Sequence, residues 1–224
     1  ALVVGLVALA VILPGLAPMP VTDRDEARFA QASKQMVETG DLVDIRFQDR
    51  PRWKKPAGIY WMQAGAASLL GGAEAPIWAY RLPSALGALA AALLLGWAAR
   101  PMVGSEGAAL AAIMLATSLL AIGEANIAKT DAMLTACAVA ALGGLARLLP
   151  EGPRPGWGVR LVFWGAIGAA ILIKGPIVPL VVALALGWLW LAWRRPPPLA
   201  RLRPLQRLAL AALLAAPGAV AVWI

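Results

Sequence analysis

Between Val21 and Tyr60 the chain carries Asp23-Arg24-Asp25-Glu26-Ala27-Arg28-Phe29 and, further on, Trp53-Lys54-Lys55-Pro56, a densely charged insert flanked by apolar sequence. Acids, bases and aromatics concentrated in this way can move a proton and hold an anion. A carboxylate kept beside a cation and shielded from bulk water stays charged at neutral pH and serves as a general base. Asp25, with Arg28 three residues on, has the spacing for that pair. Beyond the insert, Lys129 and Asp131 stand in Ala128-Lys129-Thr130-Asp131-Ala132-Met133, and Lys174 in Ile173-Lys174-Gly175-Pro176. Ionisable residues at membrane depth are costly and face a cavity or a partner. Several of them at one level suggest a site for an anionic headgroup. The chain has no histidine, which removes imidazole catalysis and the commonest zinc ligand.

Helical elements must position these groups. Asp23 and Glu26 have the spacing of a capping box, and Gly40 is a helix stop. Between them Phe29, Ala32, Ser33, Met36 and Val37 fall on one face of an amphipathic helix, expected to lie on the outer leaflet. Asp25, four residues before Phe29, is expected on that inward face, toward a membrane-facing cavity. The same acids also complement a helix dipole. Lys54 and Lys55 also fit snorkelling to lipid phosphate, Lys174 an ordinary boundary lysine, and Asp131 a helix N-cap.

The class follows from composition. Hydrophobic residues make up 61% of the 224 and charged ones 14%, with a mean hydropathy of +0.74, far from a soluble domain. Strand-like alternation is absent, so the expectation is an all-α, polytopic integral membrane bundle. A first, truncated span covers about residues 1–17, and an insert with interfacial helices runs from about 18 to 72. Within it, the apolar run 57–71 is short for a crossing. Spans follow at roughly 77–99, 106–123, 131–149, 159–173, 176–193 and 207–224. The chain starts and stops inside apolar runs and reads as the N-terminal part of a longer protein. Cys137, the single cysteine, excludes an internal disulfide and reads as a packing residue.

Charge orients the spans. Arg100, then Arg147, Arg154 and Arg160, then Arg194, Arg195, Arg201, Arg203 and Arg207 fall on the side opposite the insert. The positive-inside bias puts these loops in the cytoplasm and the insert in the periplasm of a bacterial inner membrane. All acids but Glu106 and Glu151, and every lysine, then lie outside. The net charge of +8 is thus an orientation signal with some attraction to anionic lipid. A nucleic-acid footprint is not expected.

Four segments resemble a known family. Asp25-Glu26-Ala27-Arg28-Phe29-Ala30 is similar to the D-E-x-R-Y-A segment of bacterial membrane glycosyltransferases of the GT-C fold, a group that includes the lipid A aminoarabinose transferases and protein-mannosyltransferase-like enzymes. Pro51 to Trp61 resembles their aromatic-E/D-K-P-P-x-x-Y-W segment, Thr130-Asp131-Ala132-Met133-Leu134 their T-D-x-x-L, and Ile173-Lys174-Gly175-Pro176 their T-K-G-P. The resemblance implies a periplasm-facing site that moves a sugar from a polyprenyl phosphate to an acceptor, with lipid A the narrower expectation. A protein or polysaccharide acceptor is the alternative, and a membrane transporter the alternative from another class. Asp25 would be the catalytic carboxylate, and Arg28, Lys55 and Lys174 the contacts to the donor phosphate. Glu26, Lys54, Lys129 and Asp131 would support them. Phe29 replaces the family's usual Tyr, and Lys54 stands where an acid associated with metal binding is common. A divalent metal would therefore draw on residues outside this segment.

Overall fold

The computed structural model describes residues 1–52, 55–149, 156–194, 198–202 and 209–217. Eight helices carry the fold: α1 (Leu2–Leu16), α2 (Arg24–Thr39), α3 (Gly58–Leu70), α4 (Ile77–Ala116), α5 (Leu119–Ala125), α6 (Asp131–Leu148), α7 (Trp157–Lys174) and α8 (Ile177–Trp193). Residues 209–217 are also helical. The all-α, polytopic membrane architecture expected from composition is the one found. Helices α4, α6 and α7 are long and apolar enough to cross a bilayer, while α1 and α8 are apolar but shorter.

Helix α4 covers one expected span and part of the next. Gly104, at φ 74° and ψ −178°, breaks it into two arms, and a Cβ on Gly96 would stand 3.6 Å from the Ala112 methyl. The arms therefore fold back on each other as a helical hairpin. Glycine is the residue that takes this backbone without strain. The expected span at 106–123 does not run through. It stops at Ala116, and Ser118 starts α5 by accepting a hydrogen bond from the Ala121 N–H.

Close approach holds the bundle together. On α1, Val4, Ala8, Ile12 and Leu16 recur every fourth residue and pack on Ala85, Ala88, Ala92, Ala112 and Ala116 of α4. A Cβ on Gly87 would lie 2.6 Å from the Met133 nitrogen, so α4 and α6 meet almost backbone to backbone. Small residues at helix contacts are how membrane bundles gain van der Waals packing where lipid competes for apolar surface. Gly58 brings α3 equally close to α7, its Cβ position being 2.7 Å from the Leu172 carbonyl oxygen.

The amphipathic helix forms as expected, with a different neighbour. Phe29, Ala32, Ser33 and Met36 are buried, but against α3 and the following loop, in a cluster with Ile45, Ile59, Tyr60 and Ala64. Protein, not the outer leaflet, covers this face. The Ser33 hydroxyl donates to Gln63 at 2.8 Å inside it. Among the described residues, the departure from helix is a short antiparallel hairpin, β1 (Arg46–Phe47) with β2 (Arg50–Pro51). Its strands are too short for sequence alternation to reveal.

Candidate functional site

The connection between α5 and α6 is the keystone of the charged end. The Glu26 carboxylate accepts the Ala128 N–H at 2.9 Å. The Ser84 hydroxyl accepts from the Lys129 N–H at 3.2 Å and donates to the Lys129 carbonyl at 3.0 Å. So fixed, the loop aims two side chains in different directions. The Lys129 ammonium meets the Asp23 carboxylate at 2.6 Å, at the start of α2. Asp131 pairs with Lys174, at the end of α7. Three elements distant in sequence are tied through residues two apart.

Asp23 is the N-cap of α2, accepting from the backbone N–H of Asp25 at 2.6 Å and of Glu26 at 3.1 Å. The capping box is only half formed, because Glu26 does not reach back. It is 1% exposed and forms a two-point ion pair with the 0% exposed Arg81 of α4, at 2.7 and 3.2 Å. Arg81 also donates to the carbonyls of Leu16, Met19 and Pro20. Charge buried this deeply survives only when paired and fully hydrogen-bonded. Glu26 thus anchors the first turn of α2 to α1, α4 and the Ala128 backbone.

Asp25 corrects an expectation. Its side chain is 55% exposed, with Arg28 3.5 Å away. Helical phase does set it beside Phe29, but phase does not say how far a covering element extends. Phe29 is capped by Tyr60, 5.2 Å between ring centres, and by the Arg52 guanidinium at 5.3 Å. One turn earlier, that cover has ended. Asp25 is therefore a solvent-open carboxylate, not a shielded one. Lys55 is half-buried and makes no ion pair among the described residues. It lies three residues before Gly58, where α3 touches α7 near Lys174. Lys54 falls outside the described residues.

Among the residues proposed from sequence, Lys129, Asp131 and Lys174 thus come together, and Asp25 with Arg28 forms a second, exposed pair. Sequence reasoning missed Arg81 as part of the site. It is the only charged residue in the expected span 77–99, and such a residue needs a partner. Glu124 was missed as well. With Ser118, Asp131 and Thr135 it lines a cavity of about 290 Å³ between α4, α5 and α6. Burial raises its carboxyl above the ordinary value and Asp131 adds to this, while Lys129 and Lys174 oppose it. Among the described residues no three acidic or thiol groups gather as a metal cage, so these side chains do not by themselves fit a divalent ion.

The Asp23–Lys129 pair makes stability depend on pH. The hydrogen bond from Lys129 holds the Asp23 carboxyl below its ordinary value of 3.8, against the opposing effect of burial. For Lys129, burial is the largest single influence and lowers the value, but the bond to Asp23 and the charges of Asp23, Glu124 and Asp131 together outweigh it and raise the ammonium above its ordinary 10.5. A depressed acid contributes stability above its unfolded value and loses it as pH falls through the folded one. A raised base contributes below its unfolded value and loses it on further alkalisation. The pair is therefore at full strength between about pH 4 and 10. Melting temperature should drop on acidification below about pH 4 more steeply in the parent protein than in Lys129→Met. Parallel curves would show that the pair carries no such linkage.

Residues 54–223 match the family described as dolichyl-phosphate-mannose-protein mannosyltransferase. An undecaprenyl phosphate-alpha-4-amino-4-deoxy-L-arabinose arabinosyl transferase of Aeromonas salmonicida is 34% identical over 205 residues, 91% of this chain and 37% of that relative. The transferase of that name from Pseudomonas aeruginosa is 30% identical over 76% of this chain and 31% of its own length. Among solved structures, ArnT from Cupriavidus metallidurans in the apo state superposes with a TM-score of 0.88 at 25% identity, over 99% of this chain and 41% of that one. The same protein bound to undecaprenyl phosphate gives 0.81. The chain therefore spans between about a third and two fifths of the length of these proteins.

Proposed function

Because this chain belongs to the dolichyl-phosphate-mannose-protein mannosyltransferase family, we propose that the protein of which it forms part is a membrane glycosyltransferase drawing its sugar from a polyprenyl phosphate. The acceptor on this reading is a periplasmic one, lipid A in the narrower form, and the site faces the periplasm from the inner membrane. Support for the donor class comes from the arabinosyl transferases it resembles and from the related structure bound to undecaprenyl phosphate.

The chemistry is a single inverting displacement. An acceptor hydroxyl attacks the anomeric carbon, its proton passes to the Asp25 carboxylate, and the bond from that carbon to the phosphate oxygen breaks. The phosphate leaves with the bonding electrons and is stable as an anion, so no general acid is needed. Fixed positive charge where negative charge accumulates lowers the barrier instead. Arg28, Lys55 and Lys174 fill that role, with Lys174 exchanging part of its contact with Asp131 for the phosphate. Lys54 adds charge beside Lys55, and Lys129 keeps the start of α2 in place through Asp23. The prenyl chain lies along the apolar spans, which accounts for a polar site at the bundle end.

One observation carries this reading: the loop through Lys129 and Asp131 draws the α2 turn bearing Asp25 and the α7 end bearing Lys174 to one end of the bundle. The test is sugar transfer by the full-length protein in proteoliposomes, with radiolabelled polyprenyl-phosphate-linked aminoarabinose and lipid A as substrates. Labelled glycolipid is the expected product. Failure to transfer from any polyprenyl-phosphate sugar, with solute uptake in its place, would replace the transferase by a transporter.

A further inference from the structure

We propose that the cavity between α4, α5 and α6 binds the ammonium group of an amino sugar on the donor lipid, between Glu124 and Asp131. This rests on the polyprenyl-phosphate reading and adds the group by which the sugar is selected, through an acid that reading does not use. The cavity, of about 290 Å³, is at the small end of ligand pockets, which run from about 300 to 1,000 Å³. One sugar ring suits it better than a whole lipid headgroup. Its walls offer the methyl groups of Ala88 and Ala121 beside the hydroxyls of Ser118 and Thr135.

The two acids are held in place by their own helices. The Ser118 hydroxyl donates to the Leu115 carbonyl at 2.8 Å and accepts the Ala121 N–H at 3.3 Å, which fixes the start of α5. Ala121 and Glu124, three residues apart, then face the cavity together. On α6, Asp131 and Thr135 are four apart, and the Thr135 hydroxyl donates to the Asp131 carbonyl at 2.9 Å. The Asp131 side chain is 42% exposed and stands at the open side. The Glu124 Oε2 atom is buried and has no hydrogen-bond partner among the described residues. A buried acceptor left unanswered is costly. Lining a cavity, it calls for a donor brought by the ligand.

Charge decides which donor. The cations whose fields reach Glu124 are Lys129 and Lys174. Both are engaged, with Asp23 at 2.6 Å and with Asp131 respectively. When the donor phosphate draws on Lys174, Asp131 loses part of its counter-charge beside a second acid. A sugar hydroxyl would answer the lone pairs but not the charge. An ammonium answers both, with three N–H donors and a positive charge. A divalent ion would also supply charge, but no third acid or thiol joins these two among the described residues.

Binding of three labelled lipids to the full-length protein in nanodiscs tests this, with no acceptor present. They are bare polyprenyl phosphate, its 4-amino-4-deoxyarabinose conjugate, and the analogue with the amine replaced by a hydroxyl. The parent protein should hold the amino-sugar lipid about 10- to 100-fold more tightly than the hydroxyl analogue. In Glu124→Gln that ratio should fall about tenfold, with affinity for bare polyprenyl phosphate unchanged. Glu74→Gln, which removes an exposed acid paired with Lys34, should keep the parent ratio. A ratio that survives Glu124→Gln, or equal binding of the two sugar lipids by the parent, overturns the assignment. So does an equal loss of all three lipids in Glu124→Gln, which would make Glu124 a support for the fold or the phosphate contacts. Amine preference without any sugar transfer sinks the transferase reading and leaves the cavity standing; transfer without amine preference does the reverse.

Discussion

Replacing Asp25 with Asn should lower sugar transfer about 10²–10⁴-fold, the range a positioned general base supplies, and leave the protein folded. The substitution keeps shape and removes the proton acceptor. Structural damage does not account for such a loss, because the side chain is 55% exposed and its contact is a 3.5 Å approach from Arg28, the sort of surface pair that contributes little to stability. The helix start does not depend on it either, since Asp23 is the cap. The loss should fall on kcat, with donor affinity retained, and Asp25→Glu should recover part of it. A reconstituted full-length Asp25→Asn variant that transfers sugar at the parent rate would remove Asp25 from the mechanism. The openness of Asp25 adds a requirement. A general base gains from exclusion of water, so on this reading the bound substrates cover what the described residues leave open.

Truncating Arg81 to Met should destabilise the protein by about 3–5 kcal/mol, the cost of leaving a buried charge without its partner. Glu26 would keep its carboxylate at 1% exposure with only the Ala128 N–H to satisfy it. The carbonyls of Leu16, Met19 and Pro20 would lose their donor at the same time. Pairing Arg81→Met with Glu26→Met should recover part of the loss, because exchanging a whole buried ion pair for apolar side chains is often near neutral. Recovery should stay incomplete, since those carbonyls and the Ala128 N–H remain unanswered. Thermal unfolding of the four proteins of this double-mutant cycle measures the coupling. An Arg81→Met protein as stable as the parent would show that α2 is anchored by other means.

Residue order alone settles the membrane class, because a chain this apolar can satisfy its backbone in lipid only as helices or a closed barrel, and the strand period is missing. It also settles the buried face of α2, since a period of 3.6 residues is written directly in Phe29, Ala32, Ser33 and Met36. The gathering of Lys129, Asp131 and Lys174 at one end of the bundle was legible too, as each stands at the end of an apolar run. Pairing was not. Local sequence cannot say that Lys129 takes Asp23 while Asp131 takes Lys174, because these contacts join segments 106 and 43 residues apart. Nor could it divide the neighbouring acids Asp25 and Glu26. Both lie near the inward face of one helix, yet Glu26 meets Arg81 in the interior while Asp25 stands beyond the reach of Tyr60 and Arg52. Helical phase assigns a direction to each side chain; only the packing of α3, α4 and the Ala128 loop around that helix decides which direction leads to protein and which to water.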